Sequence, residues 1–256
     1  ARHLTTQGVS IFTHSRASAV AGGVLVNSHL VKANAVIHAT EVFGEARRDF
    51  IPLYSLMVAT EPISDVIWSQ IGNKERFTFA ESSHIINYAQ RTADNRLAVG
   101  GRGATYPFQS KLRISKEMTK SVHERLRQMV RQWFPALADI EFSHAWGGAV
   151  AITRDWEPYV IWDCARAVGR LGGYAGDGVT MSYLAAKTLA TEIIDSPSSI
   201  RELHFINRSI RQWEPEPLRW LGVNGSVLAT DLADREESLT RRPSIIARAL
   251  NSAIRV

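Results

Sequence analysis

Residues 167–190, AVGRLGGYAGDGVTMSYLAAKTLA, constrain the fold more tightly than any other part of the chain. A short run with strand character, Val168 to Leu171, enters a turn carrying Gly172, Gly173, Gly176 and Gly178 and leaves it as an alanine-rich helix. Glycines tolerate positive φ and let the backbone come close to a ligand. The first N–H groups of a helix starting near Gly178 lack intrahelical acceptors and point at whatever lies before them. An electron-rich carbonyl edge or a phosphate suits that arrangement, although a strand-to-helix turn without a ligand has the same composition. The remaining segments decide between the two.

The chain has 256 residues, 45% of them hydrophobic and 21% charged, which is the balance of a globular protein with one large or two ordinary domains. Its formal charge of +5 comes from 30 basic and 25 acidic residues scattered along the sequence. A nucleic-acid footprint needs a concentrated basic stripe, so no nucleic-acid partner is expected. The single cysteine, Cys164, excludes an internal disulfide and a Cys-based zinc site, and no metal site is expected. A reducing, cytoplasmic setting follows from that, and Cys164 itself reads as a small buried hydrophobe. No apolar run approaches the ~20 residues of a membrane span. Ala1 follows no methionine and Val9–Thr13 already reads as a strand, so the chain is expected to start within a fold.

Short strands are expected at Val9–Thr13, Ala17–Val20, Gly23–Asn27 and Val31–Thr40, with Gly22-Gly23 as a hairpin turn. From Arg48 onward, Ile51–Glu61, Phe77–Phe79, His84–Gln90 and Arg96–Gly101 read as a mostly antiparallel sheet, with a turn at Ala93-Asp94-Asn95. Ser115 is placed to cap a helix whose Met118, Val122, Leu126, Met129, Val130 and Trp133 share one face and which Pro135 stops. Strands follow at Ile140–Ala145, Tyr159–Trp162 and Val168–Leu171, then the glycine turn, a helix to Ile194 and a proline-bearing tail with a helix. Residues 1–45 and 151–256 are thus expected to form one α/β domain enclosing an α+β insertion, residues 46–150.

In this order the segments resemble the D-amino-acid-oxidase-like family of FAD-dependent oxidoreductases, and within it the gamma-glutamylputrescine-oxidase-like branch. The resemblance is carried by AVIHAT (35–40), PLYSLMVATEP (52–62), GGR (100–102), HAWGG (144–148), TRD (153–155), GGYAGDGV (172–179) and WEPEPLRW (213–220). It implies a Rossmann-like FAD-binding domain, here residues 1–45 and 151–256, around a sheet-plus-helix substrate domain. The family opens with strand, Gly-x-Gly-x-x-Gly and helix, which bind the pyrophosphate. These 256 residues hold no such motif: Gly101-Arg-Gly103 is the nearest approach, and Tyr106 stands where the third glycine belongs. The resemblance therefore reads the chain as the C-terminal portion of a longer flavoprotein. FAD would be bound non-covalently and weakly or not at all by this portion alone, with the N-terminal FAD-binding region or a separate chain supplying the rest.

The resemblance implies hydride transfer from the carbon beside an amine to flavin, on an amine or amino-acid substrate. It places the backbone of Gly173, Tyr174, Ala175, Gly176, Asp177, Gly178, Val179 and Thr180 along the flavin ring, Ala39 and Thr40 near the dinucleotide, and Trp146 and Gly147 close to the flavin. Substrate-side candidates are Tyr54, Tyr88, Arg91, Arg102 and His144. An arginine such as Arg102 can grip a carboxylate bidentately. Relatives that attach flavin covalently use a cysteine after the HAWGG segment, where residues 149–153 have none. Relatives that clamp a substrate carboxylate with a lysine place it where Thr180 stands here. Two other readings stay open: a non-catalytic binding or scaffold domain that retains the fold, and the flavoprotein domain of an RNA-modifying enzyme.

Overall fold

The structure, a computed structural model, describes residues 2–44 and 48–254. The chain begins with helix α1 (Arg2–Thr6) and strands β1 (Ala17–Val20), β2 (Gly23–Val26), β3 (His29–Lys32) and β4 (Val36–His38). Then come β5 (Phe50–Thr60), α2 (Asp65–Ile71), β6 (Thr78–Ala80), β7 (Asn87–Arg91), β8 (Leu97–Ala104), α3 (Ile114–Glu117) and α4 (Lys120–Trp133). The rest is β9 (Phe142–Thr153), β10 (Tyr159–Asp163), β11 (Val168–Gly172), α5 (Gly178–Ile193), α6 (Leu218–Thr240) and α7 (Ile245–Ile254). Contacts divide the chain into two units, Ala1–Gly44 with Pro158–Gly172 and Asp177–Ser209, and Glu45–Glu157 with Gly173–Gly176 and Ile210–Val256.

In the first unit, β1, β2 and β3 form an antiparallel meander, and β10, β11 and β4 form a second sheet in which β4 runs parallel to β11. Helix α5 buries Ala185, Thr188 and Leu189. Gly169 on β11 permits this packing, because a Cβ there would lie 2.9 Å from Leu189 Cδ2. The expected strand Val9–Thr13 is absent: Gly8 turns at φ +83° and the Val9 N–H returns to Leu4 O at 3.1 Å, closing α1 instead. Among the described residues, alternation there has no neighbouring strand to pair with. The expected single strand Val31–Thr40 is broken, since β3 pairs with β2 whereas β4 pairs with β11. Cys164, expected to be buried, is exposed in the turn joining β10 to β11.

The second unit is built on a five-stranded antiparallel sheet in the order β6, β7, β8, β5, β9. One of its faces carries Tyr54, Leu56, Val58, Leu97 and Val99, which pack with Val122, Leu126 and Val130 of α4 in a dry cluster. Those three helix positions are four residues apart and so share one face. Ser115 is not the cap of α4: it lies inside the short α3, and α4 begins after the extended Thr119. Helix α2 is not among the expected elements although its signals are local, with Ser64 Oγ accepting from Ile67 N at 3.4 Å and Gly72 closing it in the left-handed region.

The unit boundaries differ from those expected. The one at 45/46 lies outside the described residues. Residues 151–157 continue β9 and its turn, and the tail joins the sheet unit: Trp213 Nε1 donates to Ile152 O at 2.9 Å, Trp213 N to Arg48 O at 2.8 Å, and Asp234 receives the N–H groups of His84 and Ile85. Proline-rich composition marks the tail as irregular but carries no information about which sheet its indole reaches.

Candidate functional site

In the glycine turn, Gly173 has φ +75°, Ala175 φ 52° and Gly176 φ +116°. An alanine in the left-handed region needs support from its surroundings. Arg102 supplies it from within the same unit, Nη2 donating to Ala175 O at 2.8 Å while the guanidinium carbon sits 5.2 Å from the Trp156 ring centre. A Cβ on Gly176 would lie 3.2 Å from that Nη2, a tight contact with the end of a flexible side chain, and its φ of +116° is one that favours glycine. The main-chain oxygen of Arg102 in turn accepts from Arg125 Nη2.

Asp177 caps α5 without a side-chain hydrogen bond, and the first turn contains no acidic residue. The N–H groups of Gly178, Val179 and Thr180 therefore lack both intrahelical and side-chain acceptors from the cap. The side chains here face outward, Val179 being 95% exposed. Within the first unit, the ends of the parallel strands β4 and β11 come together: a Cβ on Gly172 would lie 3.1 Å from Glu41 Oε1 and 3.0 Å from Tyr159 Oη. Ala39 and Thr40 follow β4 directly, and Thr40 O receives Phe43 N at 2.9 Å. The C-terminal edge of parallel strands, next to a helix N-terminus, is where open α/β sheets bind ligands.

In the second unit the sheet's other face is split. At one end Ile51, Ile152, Tyr106, Trp213 and Val223 form a second core cluster, with Ala175 of the turn packed against it. Further along, the register brings Ser55 opposite Arg102 and Gly148, Met57 opposite Gly100 and Trp146, and Gly100 opposite Tyr88. Tyr88 and Trp146 are 40% and 41% exposed, which leaves this part of the face open. The Tyr88 ring lies over Gly100, where a Cβ would collide with it, and its hydroxyl is 3.0 Å from Ser55 Oγ. His144 lies farther along β9, paired with Ala59, with Nδ1 2.8 Å from Ser143 Oγ.

Two substrate-side candidates sit elsewhere. Tyr54 is buried in the helix-covered core, its hydroxyl accepting Arg113 N–H at 2.9 Å. Arg91 ties the β7–β8 turn to α2, with Nη2 2.6 Å from Asp65 Oδ1 and the guanidinium 4.9 Å from the Trp68 ring centre. Strand alternation decides both cases, and alternation cannot say which face the helix covers. Gly147 also has a reason inside its own unit: a Cβ there would lie 2.7 Å from Glu117 O of α3.

Residues singled out by no motif role complete the arrangement. Glu216 accepts from Tyr106 Oη at 2.9 Å, Gln109 N at 2.9 Å, Trp220 N at 3.0 Å and Arg219 Nη2 at 3.1 Å. Burial opposes ionisation of Glu216, but these donors outweigh it and hold the carboxyl below the usual glutamate range. Burial raises the Tyr106 phenol, a direction that its bond to Glu216 reinforces. Trp156 and Arg125, which fix Arg102, carry no sequence signal; Trp213 and Glu216 lie in a motif whose role only the fold reveals.

With this geometry in place, comparison with known proteins gives the family. The model of the FAD-dependent oxidoreductase family (DAO) matches residues 1–192, and the chain belongs to that family. It is 30% identical over 110 residues to a probable oxidoreductase OrdL of Rhizobium meliloti, an overlap of 43% of this chain and 23% of that protein. It is 25% identical over 169 residues to gamma-glutamylputrescine oxidoreductase of Escherichia coli, covering 66% of this chain and 37% of the relative. The chain thus spans under two fifths of the length of these curated relatives. Glycine oxidase from Geobacillus kaustophilus shares the fold, with a TM-score of 0.61 at 15% identity over 81% of this chain and 55% of that one.

Proposed function

We propose that this chain forms part of a flavin-dependent oxidoreductase acting on the C–N bond of an amine or amino acid. The glycine turn carries the reading: Gly173, Ala175 and Gly176 at positive φ, locked by Arg102 on Ala175 O, run directly into the uncapped first turn of α5. The flavin, when bound, supplies the hydride acceptor. Backbone donors at Gly178 to Thr180 and the positive end of α5 suit the electron-rich pyrimidine edge of such a ring and stabilise negative charge arriving there. Ala39 and Thr40, at the end of β4, suit the dinucleotide. The open sheet face bearing Tyr88, Arg102 and Trp146 suits the substrate side. Arg102 is a positioning residue in this reading, since it already holds the turn.

Thr180 refines the substrate class. A hydroxyl can hydrogen-bond but not neutralise a carboxylate, and the exposed first turn of α5 carries no basic side chain. Primary and secondary amines should therefore be better substrates than sarcosine or glycine, in keeping with the amine for which the Escherichia coli relative is named. The test is stopped-flow flavin reduction in the flavin-loaded protein across a panel of amines and amino acids. Fastest reduction by sarcosine would overturn the amine preference, and a protein that shows no flavin spectrum when FAD is supplied would overturn the redox reading.

A further inference from the structure

Within the second unit, a cavity of about 560 Å³ lies between the sheet end bearing Ile51 and Leu53 and the tail helices. Its volume is that of a small-molecule site. Helix α6 presents Arg219, Val223, Val227 and Thr230 to it, spaced three to four residues apart and so along one face. Those residues, with Leu250 of α7, lie beyond residue 192, where the family match ends. Gly222 opens onto the same space, and a Cβ there would meet nothing within 4 Å.

The walls are mostly apolar, with a few charged side chains among them. Arg102, Arg154 and Arg219 line the cavity against one lining carboxylate, Glu214. Glu216 pairs with Arg219, and Arg102 is engaged with Ala175 O. Arg154 is stacked 5.2 Å from the ring centre of Trp213 and anchored through Nε, 3.1 and 3.2 Å from the two oxygens of Glu214. Among the described residues no hydrogen bond runs from its two terminal nitrogens. Glu214 is committed to Arg154, Glu216 to Tyr106 and Arg219, and Glu237 to the lining His84. An ammonium entering here meets a lining carboxylate already paired with Arg154, whereas an anion finds a guanidinium edge held in place by its own stack and ion pair.

We propose that this cavity binds a small ligand with an apolar body and a single anionic head such as a carboxylate, the body against α6 and the head on the terminal nitrogens of Arg154. The site shares Arg102 and Trp156 with the brace of the glycine turn, but its binding can be tested without flavin.

The test is titration calorimetry of the chain with octanoate, octylamine and octan-1-ol, with tryptophan fluorescence followed in parallel because Trp156 and Trp213 line the space. Octanoate should bind saturably, about tenfold more tightly than octylamine, and Arg154→Gln should remove about that factor for octanoate while leaving octan-1-ol unchanged. Gly222→Leu fills the space from a helical position where leucine is the better helix former, so it should fold and should abolish binding of all three. Circular dichroism confirms that each variant folds, and Gly222→Leu still decides the location if Arg154→Gln does not. No saturable binding, octylamine binding as tightly as octanoate, or full binding retained in Gly222→Leu would each overturn the proposal.

Discussion

Arg102 and Gly176 meet at one point, where a guanidinium nitrogen holds Ala175 O and would lie 3.2 Å from a Cβ on the next residue. Gly176→Val should remove flavin binding in the flavin-loaded protein, since a β-branched residue is strained at φ +116° and displaces Arg102. Arg102→Ala should also lower flavin content, because the turn loses its brace. Measuring the flavin-to-protein absorbance ratio of both variants checks this, and undiminished flavin in Arg102→Ala would leave Arg102 with a substrate role alone. Glu216 offers a test at the same scale. Its carboxyl is held below the ordinary value of 4.5, so the stability it contributes is present above that value and is lost as pH falls through the depressed one. Glu216→Gln should therefore cost about 1–3 kcal/mol at pH 7, and the gap to wild type should shrink as urea unfolding is repeated at successively lower pH.

At the scale of elements, α3 and β9 set a constraint that reads like a ligand signal in the sequence. Trp146-Gly147-Gly148 looks like backbone cleared for a cofactor, and at Gly147 the space is taken by Glu117 O of α3. Gly147→Val should destabilise the sheet unit by about 1–3 kcal/mol by overpacking, read as a lowered urea midpoint. Helix α5 is the reverse case. Its first turn is exposed and uncapped, so Thr180 substitutions should leave stability nearly unchanged and act on substrate preference instead. Helix α4 was legible because its apolar spacing is its packing face. Helix α2, at seven residues, is too short for periodicity to register and shows only through its caps.

At the scale of the whole molecule, these 256 residues contain the turn suited to a flavin edge but no Gly-x-Gly-x-x-Gly turn for a pyrophosphate. By themselves they should retain FAD poorly through gel filtration, and stoichiometric retention would show that the ring-side contacts suffice. The strand, glycine turn and alanine-rich helix at 167–190 were determined by the sequence, because glycine conformational freedom and helical propensity act over a few neighbouring residues. The antiparallel character of the larger sheet followed for the same reason, from alternation and turn residues, whereas its order sets β5 between the distant β8 and β9. Only the tertiary structure decided that Arg102 braces Ala175, 73 residues away, that Arg91 is an ion-paired clamp on Asp65, and that the tail from Ile210 packs with the sheet unit. A side chain's partner depends on which distant segments the fold brings beside it, and neither spacing nor composition along one stretch of chain carries that information.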